Sequence, residues 1–127
     1  IPRHFRRTDV GLGWEPDTLL VGEGFVAVRV KDKGIVVFTA CSHAGVVNVM
    51  LDARERFPGT PLFGVMGGFH LSGANERIIP ETVEALRAFP LKVVAPGHCT
   101  GWRATSALAA AFGEAVAPSA VGKTYRF

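Results

Sequence analysis

The sequence predicts an α/β fold in which a β-hairpin is followed by alternating helices and strands. Two runs rich in β-branched residues, 25–30 and 35–39, flank a polar turn, which is typical of an antiparallel hairpin. From residue 46 onward, apolar residues recur at helical spacing, and short apolar runs at 61–66 and 91–95 separate these segments. A chain of 127 residues with 48% hydrophobic content is large enough for one packed domain.

Three helices are expected on this pattern. The first has one apolar face and charged residues on the other; its apolar positions are Val46, Val49, Met50, Ala53 and Phe57. Pro80 suits the first turn of the second helix, because its missing amide hydrogen has no intrahelical partner there. The third helix is predicted over residues 101–115 with Thr100 as its cap, and residues 121–127 are predicted to form a closing strand.

The beginning of the chain has no sustained periodicity. Residues 1–16 are therefore expected to form an irregular lead-in, and residues 17–21 a short strand. The chain opens without an initiator Met, which suggests that it continues something longer.

Composition excludes several classes of function. The net charge of +3 and the pI near 9.2 come from scattered basic residues, and only Arg3, Arg6 and Arg7 cluster, so no nucleic acid is expected as a partner. No apolar run reaches membrane-spanning length and no signal peptide is evident, so a soluble cytoplasmic protein is the expectation. Two cysteines are too few for a disulfide scaffold.

Three histidines share one local pattern. His43, His70 and His98 each follow an apolar strand that ends in small residues. Sites in open α/β sheets form at the carboxyl ends of strands, so these histidines are expected at one rim. A single turn histidine is more often a hydrogen-bonded structural residue, but the repeated pattern favours a site. His4, in the lead-in, is expected to be structural or exposed.

Three imidazoles predict a divalent metal. Zinc is the first expectation and iron or manganese the alternatives, with a position left for a water that the metal converts to hydroxide. Cys41, two residues before His43, is either a soft ligand or a turn-packing residue. Cys99 is interpreted as a packing residue or as one that supports the ligands from behind, because it follows His98 directly and is expected to point away from it. Should the turns converge, the two sulfurs would come close enough to oxidise. Ser42 and Thr100 are interpreted as turn and cap residues.

The turns together resemble the carboxyl-terminal half of metallo-β-lactamase-fold hydrolases, and most of all the dihydropterin-6-methyl-ribofuranosyl-aminobenzene-phosphate synthase-like branch. The matching stretches, in order along nearly the whole chain, are Ile-Pro-Arg at 1–3, Val-Phe-Thr-Ala-Cys-Ser-His-Ala-Gly-Val-Val-Asn at 37–48, Gly-Gly-Phe-His-Leu at 67–71 and Pro-Gly-His-Cys-Thr-Gly at 96–101. The resemblance implies half of an αββα sandwich, with a metal site between the two halves that usually holds zinc and is often dinuclear.

The resemblance also implies roles for individual residues. His43 and His98 look like metal ligands, and His70 looks like a third ligand or a catalytic residue that faces the substrate. Cys41 stands where many relatives carry an acidic bridging ligand. Asn48 looks like a residue that packs behind the ligands.

Departures from the family pattern predict a partial domain. The signature His-x-His-x-Asp-His of the amino-terminal half does not occur in the sequence, and Ala40 replaces an expected glycine. Residues 1–127 are therefore expected to be a fragment, a truncated form or one partner of a split protein. The predicted function is hydrolysis of an unknown small molecule, phosphorylated or pterin-like, through metal-bound hydroxide, with the isolated chain inactive. The alternative is a non-catalytic half-domain that pairs with the amino-terminal half or with a second copy of itself.

Overall fold

The described residues form two separate sheets. In the computed structural model these residues are 5–7, 14–16 and 23–127. An antiparallel ribbon consists of β1 (Phe5–Arg7) and β2 (Trp14–Pro16). The main sheet contains, in spatial order, β3 (Phe25–Val30), β4 (Gly34–Thr39), β5 (Leu62–Gly67) and β6 (Val93–Pro96).

In the described part of the chain, three helices connect or follow the strands of the main sheet. They are α1 (Val46–Arg56), α2 (Ile79–Leu86) and α3 (Trp102–Phe112), with 3₁₀ turns at Gly73–Ile78 and Gly113–Ala115. The α/β class with a hairpin and alternating elements is thus confirmed. Among the described residues, no helix has both the length and the apolar character needed to cross a membrane.

The hairpin sends alternate residues to opposite faces of the sheet. β3 and β4 pair antiparallel, with Val26 opposite Phe38 and Val28 opposite Val36. Phe25 and Ala27 pack against the hydrophobic core, whereas Val26 and Val28 are 62% and 43% exposed. Residues two apart in a strand share a face. The side chains of Val26 and Val28 therefore lie on the face of the sheet away from the helices.

The core lies between the sheet and the helices. Ile35 and Val37 of β4 meet the buried face of α1, where Met50 and Ala53 are fully enclosed, as the helical spacing predicts. Leu86 of α2 is also fully buried in this cluster. Burying such a side chain stabilises the fold by roughly 1.5–3 kcal/mol, so this layer holds the strands in place.

The parallel pairing of β4, β5 and β6 positions the site. β4 pairs with β5, and β5 with β6, in parallel registers. Their carboxyl ends therefore lie at one edge of the sheet, and the turns that leave them are neighbours in space.

The predicted closing strand at 121–127 is wrong. The chain after α3 returns to the sheet earlier, where Val116 bridges Val94 and the Ser119 amide donates to the Pro96 carbonyl at 2.8 Å. Ala117 and Ser119, on either side of Pro118, both donate to β6, and Pro118 between them has no amide hydrogen to offer on the outer side. Beyond Ser119 the chain turns away, and Val121 is fully exposed.

Part of the predicted irregular lead-in is ordered as the β1–β2 ribbon. Short strands of three residues carry too little periodicity to be recognised in the sequence. The strand predicted at 17–21, and His4 with the basic Arg3, lie outside the described residues.

Candidate metal centre

The turn after β4 is tightly wound. Ser42 adopts a left-handed conformation with φ of 57°, and its buried Oγ lies 2.8 Å from Oγ1 of Thr39. The amide of Gly45 donates to the Ser42 carbonyl, and Asn48 donates from Nδ2 to the Ala44 carbonyl at 2.6 Å. Ser42 is thus held as a turn residue, and Asn48 stabilises the turn that carries Cys41 and His43.

The turn after β5 depends on two glycines. A Cβ on Gly67 would lie 1.9 Å from the Thr39 carbonyl oxygen, so only glycine allows the two strands to approach so closely here. A Cβ on Gly68 would lie 2.5 Å from Cε1 of His98 and 2.6 Å from Sγ of Cys99. The missing side chain of Gly68 therefore leaves the space that these donor groups occupy.

His70 is held in a strained backbone conformation. Its φ is 49°, a value that non-glycine residues rarely adopt. Residues held in such conformations cluster at functional sites. The His70 amide donates to Sγ of Cys99 at 3.2 Å, and the His70 carbonyl accepts from Nδ2 of Asn75 at 2.9 Å. These bonds fix the direction in which the imidazole leaves the chain.

Thr100 does not cap α3, contrary to the sequence-based prediction. Its buried Oγ1 accepts a hydrogen bond from the Phe69 amide at 3.1 Å, and α3 begins after Gly101, whose φ is 80°. The hydroxyl thus joins the loop after β5 to the loop after β6. No side chain caps the start of α3 with a hydrogen bond.

The three turns bring histidines and cysteines together. Sγ of Cys41 lies 3.1 Å from Sγ of Cys99 and 3.6 Å from Nδ1 of His70. The imidazole rings of His43 and His70 meet edge to face, with centroids 4.6 Å apart. Residues far apart in the sequence thus form one cluster at the carboxyl edge of the sheet.

The cluster contains two overlapping groups of possible metal ligands. Cys41, His43 and His70 form one group, and Cys41, His98 and Cys99 form the other. Within each group all ligand atoms lie within 4.8 Å of one another. Cys41 belongs to both groups, so its sulfur occupies the middle of the cluster.

Cys99 is a possible ligand that the sequence interpretation did not include. The prediction that it points away from His98 assumes the alternation of a strand, but β6 ends at Pro96 and the alternation ends with it. The available signal was the pair His98-Cys99 itself, two metal-ligating side chains in one strand-end turn.

Burial raises the pKa of the Cys41 thiol from 9.0 to about 12, and the hydrogen bond with Cys99 and the neighbouring charges of Cys99 and Glu23 act in the same direction. The thiol is therefore protonated at neutral pH in the absence of a cation. A bound cation favours the thiolate, because a coordinating thiol is deprotonated outright.

A cleft of about 210 Å³ borders the cluster. It is lined by His43 and His70, by Asn75 and Ile78 of the 3₁₀ turn, and by Thr82. A larger groove of about 620 Å³ lies between β3 and α1, and no histidine or cysteine is among the described residues that line it. We place the candidate site at the smaller cleft, because its lining includes two histidines of the cluster.

Two proteins of Methanocaldococcus jannaschii have sequences similar to this chain. A 7,8-dihydropterin-6-methyl-4-(β-D-ribofuranosyl)-aminobenzene-5′-phosphate synthase is 32% identical over 98 residues, which are 77% of this chain and 33% of the synthase. An uncharacterised protein of the same organism is 34% identical over 76 residues, which are 60% of this chain and 28% of that protein. The chain thus spans about a third of the length of these relatives.

A solved structure supports the same relationship. The crystal structure of a metal-dependent hydrolase of the β-lactamase superfamily matches with a TM-score of 0.72 and 35% sequence identity, over 80% of this chain and 39% of that protein. No protein-family profile matches the chain.

Replacement of Gly68 by alanine tests the space at the centre of the cluster. We expect Gly68→Ala to displace the His98 ring and the Cys99 sulfur, because the new methyl would lie within 2.6 Å of atoms in both side chains. Zinc affinity, measured by competition with a chromophoric chelator, should fall at least about tenfold.

Gly24→Ala is the matched control, since a Cβ there meets nothing within 4 Å. Equal zinc affinity of the two variants would contradict the placement of these donors.

Proposed function

Because this chain has a metallo-β-lactamase-type fold, we propose that it supplies part of a metal-dependent hydrolase centre whose metal is zinc. The observation that carries the proposal is the position of the Cys41 sulfur, which belongs to both ligand groups. The hydrolase with the similar structure is metal-dependent by description, which agrees with the cluster found here.

The donor atoms fit zinc better than iron or manganese. Thiolate sulfur and imidazole nitrogen are the usual zinc ligands, whereas manganese prefers oxygen. Neither ligand group contains a carboxylate. Two thiolates carry two negative charges, which neutralise one zinc ion. Bound zinc acts as a Lewis acid and lowers the pKa of a coordinated water, so that a nucleophile is available near neutral pH.

The proposed role of each residue in this chain follows from its position in the cluster. Cys41 holds both parts of the cluster together, His43 and His70 complete the ligand group beside the cleft, and His98 and Cys99 complete the other. His70 lines the cleft as well, so its imidazole also contacts a substrate placed there. The strained backbone of His70 fixes the ring for both tasks.

We further propose that the substrate is a phosphorylated or pterin-like small molecule. The similar synthase is named for a product that contains a dihydropterin and a 5′-phosphate. Trp102 and Arg103 are the first two residues of α3, which follows the turn that contains His98. The Trp102 indole is 74% exposed, and the Arg103 guanidinium lies 5.1 Å from the centre of the indole ring. A flat heterocycle can stack on such an indole.

A second candidate function concerns the sheet face away from the helices. Val26 and Val28 are exposed there beside Phe38, and an apolar face of this kind marks an interface. We propose that the amino-terminal half of the same fold covers it. The chain spans about a third of its relatives, so the remaining two thirds of those proteins include material for such a cover. On this proposal the isolated chain is inactive and the assembled sandwich is the enzyme.

Zinc content tests the metal centre. We expect the purified chain to bind zinc stoichiometrically, and Cys41→Ser to lower the affinity more than His43→Ala or His98→Ala, because only Cys41 serves both groups. Each loss should be at least about tenfold. The measurements are metal analysis and the thiolate-to-cobalt absorption of the Co²⁺-substituted chain. Ser106→Ala, on the exposed side of α3, is the control. Full zinc loading in a His43→Ala/His98→Ala double variant would contradict the assignment.

Trp102 should determine the affinity for flat heterocycles. We expect Trp102→Ala to weaken binding of a dihydropterin to the chain by roughly tenfold, and Trp102→Phe to retain most of it, since stacking on an aromatic ring contributes about 1 kcal/mol beyond burial. Isothermal titration with the dihydropterin measures both variants. Identical affinities for wild type and Trp102→Ala would remove Trp102 from the substrate site.

The exposed sheet face should be sensitive to charge. We expect Val26→Asp to weaken association with the amino-terminal segment of the similar synthase, supplied as a separate polypeptide, by at least about tenfold, because a buried unpaired carboxylate is costly. Val121→Asp, at a fully exposed position of the tail, should leave association unchanged. Analytical ultracentrifugation distinguishes the two. Self-association of the wild-type chain in the absence of that synthase segment would favour a second copy as the cover.

A further inference from the structure

Two cysteine sulfurs lie nearly at bonding distance. Sγ of Cys41 and Sγ of Cys99 are 3.1 Å apart and not bonded. The sulfur–sulfur bond of a disulfide is about 2.05 Å long, so closure needs a movement of roughly 1 Å. The residues are separated by 58 positions in the sequence and follow two different strands, β4 and β6.

The backbone holds the two sulfurs together. The His70 amide donates to Sγ of Cys99 at 3.2 Å, and the Cys99 thiol donates to the Cys41 carbonyl at 3.5 Å. The bond between the Phe69 amide and Thr100 joins the turn beside Cys99 to the turn after β5. Gly68 leaves the space in which Sγ of Cys99 lies. The proximity is thus a property of three packed turns.

We propose that Cys41 and Cys99 are a modification site at which a hydroperoxide forms an intramolecular disulfide. Both cysteines are half-buried, so a small oxidant can reach them. The further consequence, that this disulfide releases zinc, rests on the proposed metal centre.

The step balances with the hydroperoxide as oxidant. One thiol loses its proton to solvent and the resulting thiolate attacks the peroxide oxygen; the O–O bond breaks, and the leaving hydroxide takes up a proton, so that a sulfenic acid and water form when the oxidant is hydrogen peroxide. The second sulfur then attacks the sulfenic sulfur, the S–O bond breaks, and a second water leaves with the remaining thiol proton. Two thiols lose two electrons and two protons in total, and the peroxide is reduced to two waters.

Disulfide formation and metal binding exclude each other. A sulfur in a disulfide is no longer a thiolate, and the thiolate is the form that ligates metal. Cys41 belongs to both ligand groups, so the disulfide leaves His43 with His70 in one group and His98 alone in the other. Oxidation therefore removes a donor from every part of the cluster at once.

The test is oxidation of the full chain after zinc has been removed with a chelator. Hydrogen peroxide should produce a monomer that has lost two hydrogens, as measured by intact mass, and a Cys41–Cys99 linked peptide after non-reducing digestion. Dithiothreitol should restore both thiols. Cys41→Ser and Cys99→Ser, each with one remaining thiol, should give no such monomer and are the matched controls.

Zinc added before the peroxide separates the two proposals. At a zinc concentration roughly one hundred times Kd, disulfide formation should slow by about a hundredfold, because only the metal-free fraction reacts. If peroxide yields only sulfinic acid or intermolecular dimers from the metal-free chain, the proposal of an intramolecular disulfide is overturned. If that chain still binds zinc, the proposed metal centre is unaffected by this result. Disulfide formation at the same rate with zinc, in a chain that binds none, supports the disulfide and overturns the metal centre.

Discussion

The close approach of β4 and β5 at Gly67 is the constraint on which the site depends. A Cβ at this position would lie 1.9 Å from the Thr39 carbonyl oxygen, so the strand ends can meet only because no side chain intervenes. The Gly67 carbonyl also accepts a 2.7 Å hydrogen bond from the Gly97 amide, which brings the end of β6 to the same place. One residue without a side chain thereby aligns all three turns that carry the donors.

Hydrogen bonds between turns, more than contacts within them, determine where the donor atoms lie. The Gly68 amide donates to the Ala40 carbonyl, and the Ser72 amide donates to the Cys99 carbonyl. Such bonds connect segments that are far apart in the sequence, and they shield the backbone groups from water. The cluster is therefore preorganised, as a site needs if its ligands are to bind a cation without a large loss of conformational freedom.

The parts of the fold with strong periodicity were predictable, and the parts governed by single contacts were not. Helix α1 was evident because Val46, Met50 and Ala53 repeat at helical spacing and all three are buried. The convergence of the histidines followed from parallel strands in an α/β layer. The direction of Cys99 depends on the backbone after Pro96, where no repeating geometry applies. Thr100 was misread for a similar reason, since its hydroxyl bonds to an amide 31 positions away in the sequence.

The two edge strands of the main sheet, β3 and β6, differ in how their outer backbone groups are paired, because the chain returns along β6. Beside β6, the segment around Val116 occupies the backbone groups of the outer strand, and Pro118 offers no donor to a further neighbour. Within the described part of the chain, no strand pairs with the outer side of β3, where the exposed Arg29 supplies a charge. Charged residues on an edge strand resist unwanted lateral growth. Among the described strands, β3 is the one whose outer side is left for a further strand, and the charge of Arg29 opposes fibrillar stacking or strand exchange between molecules at that side.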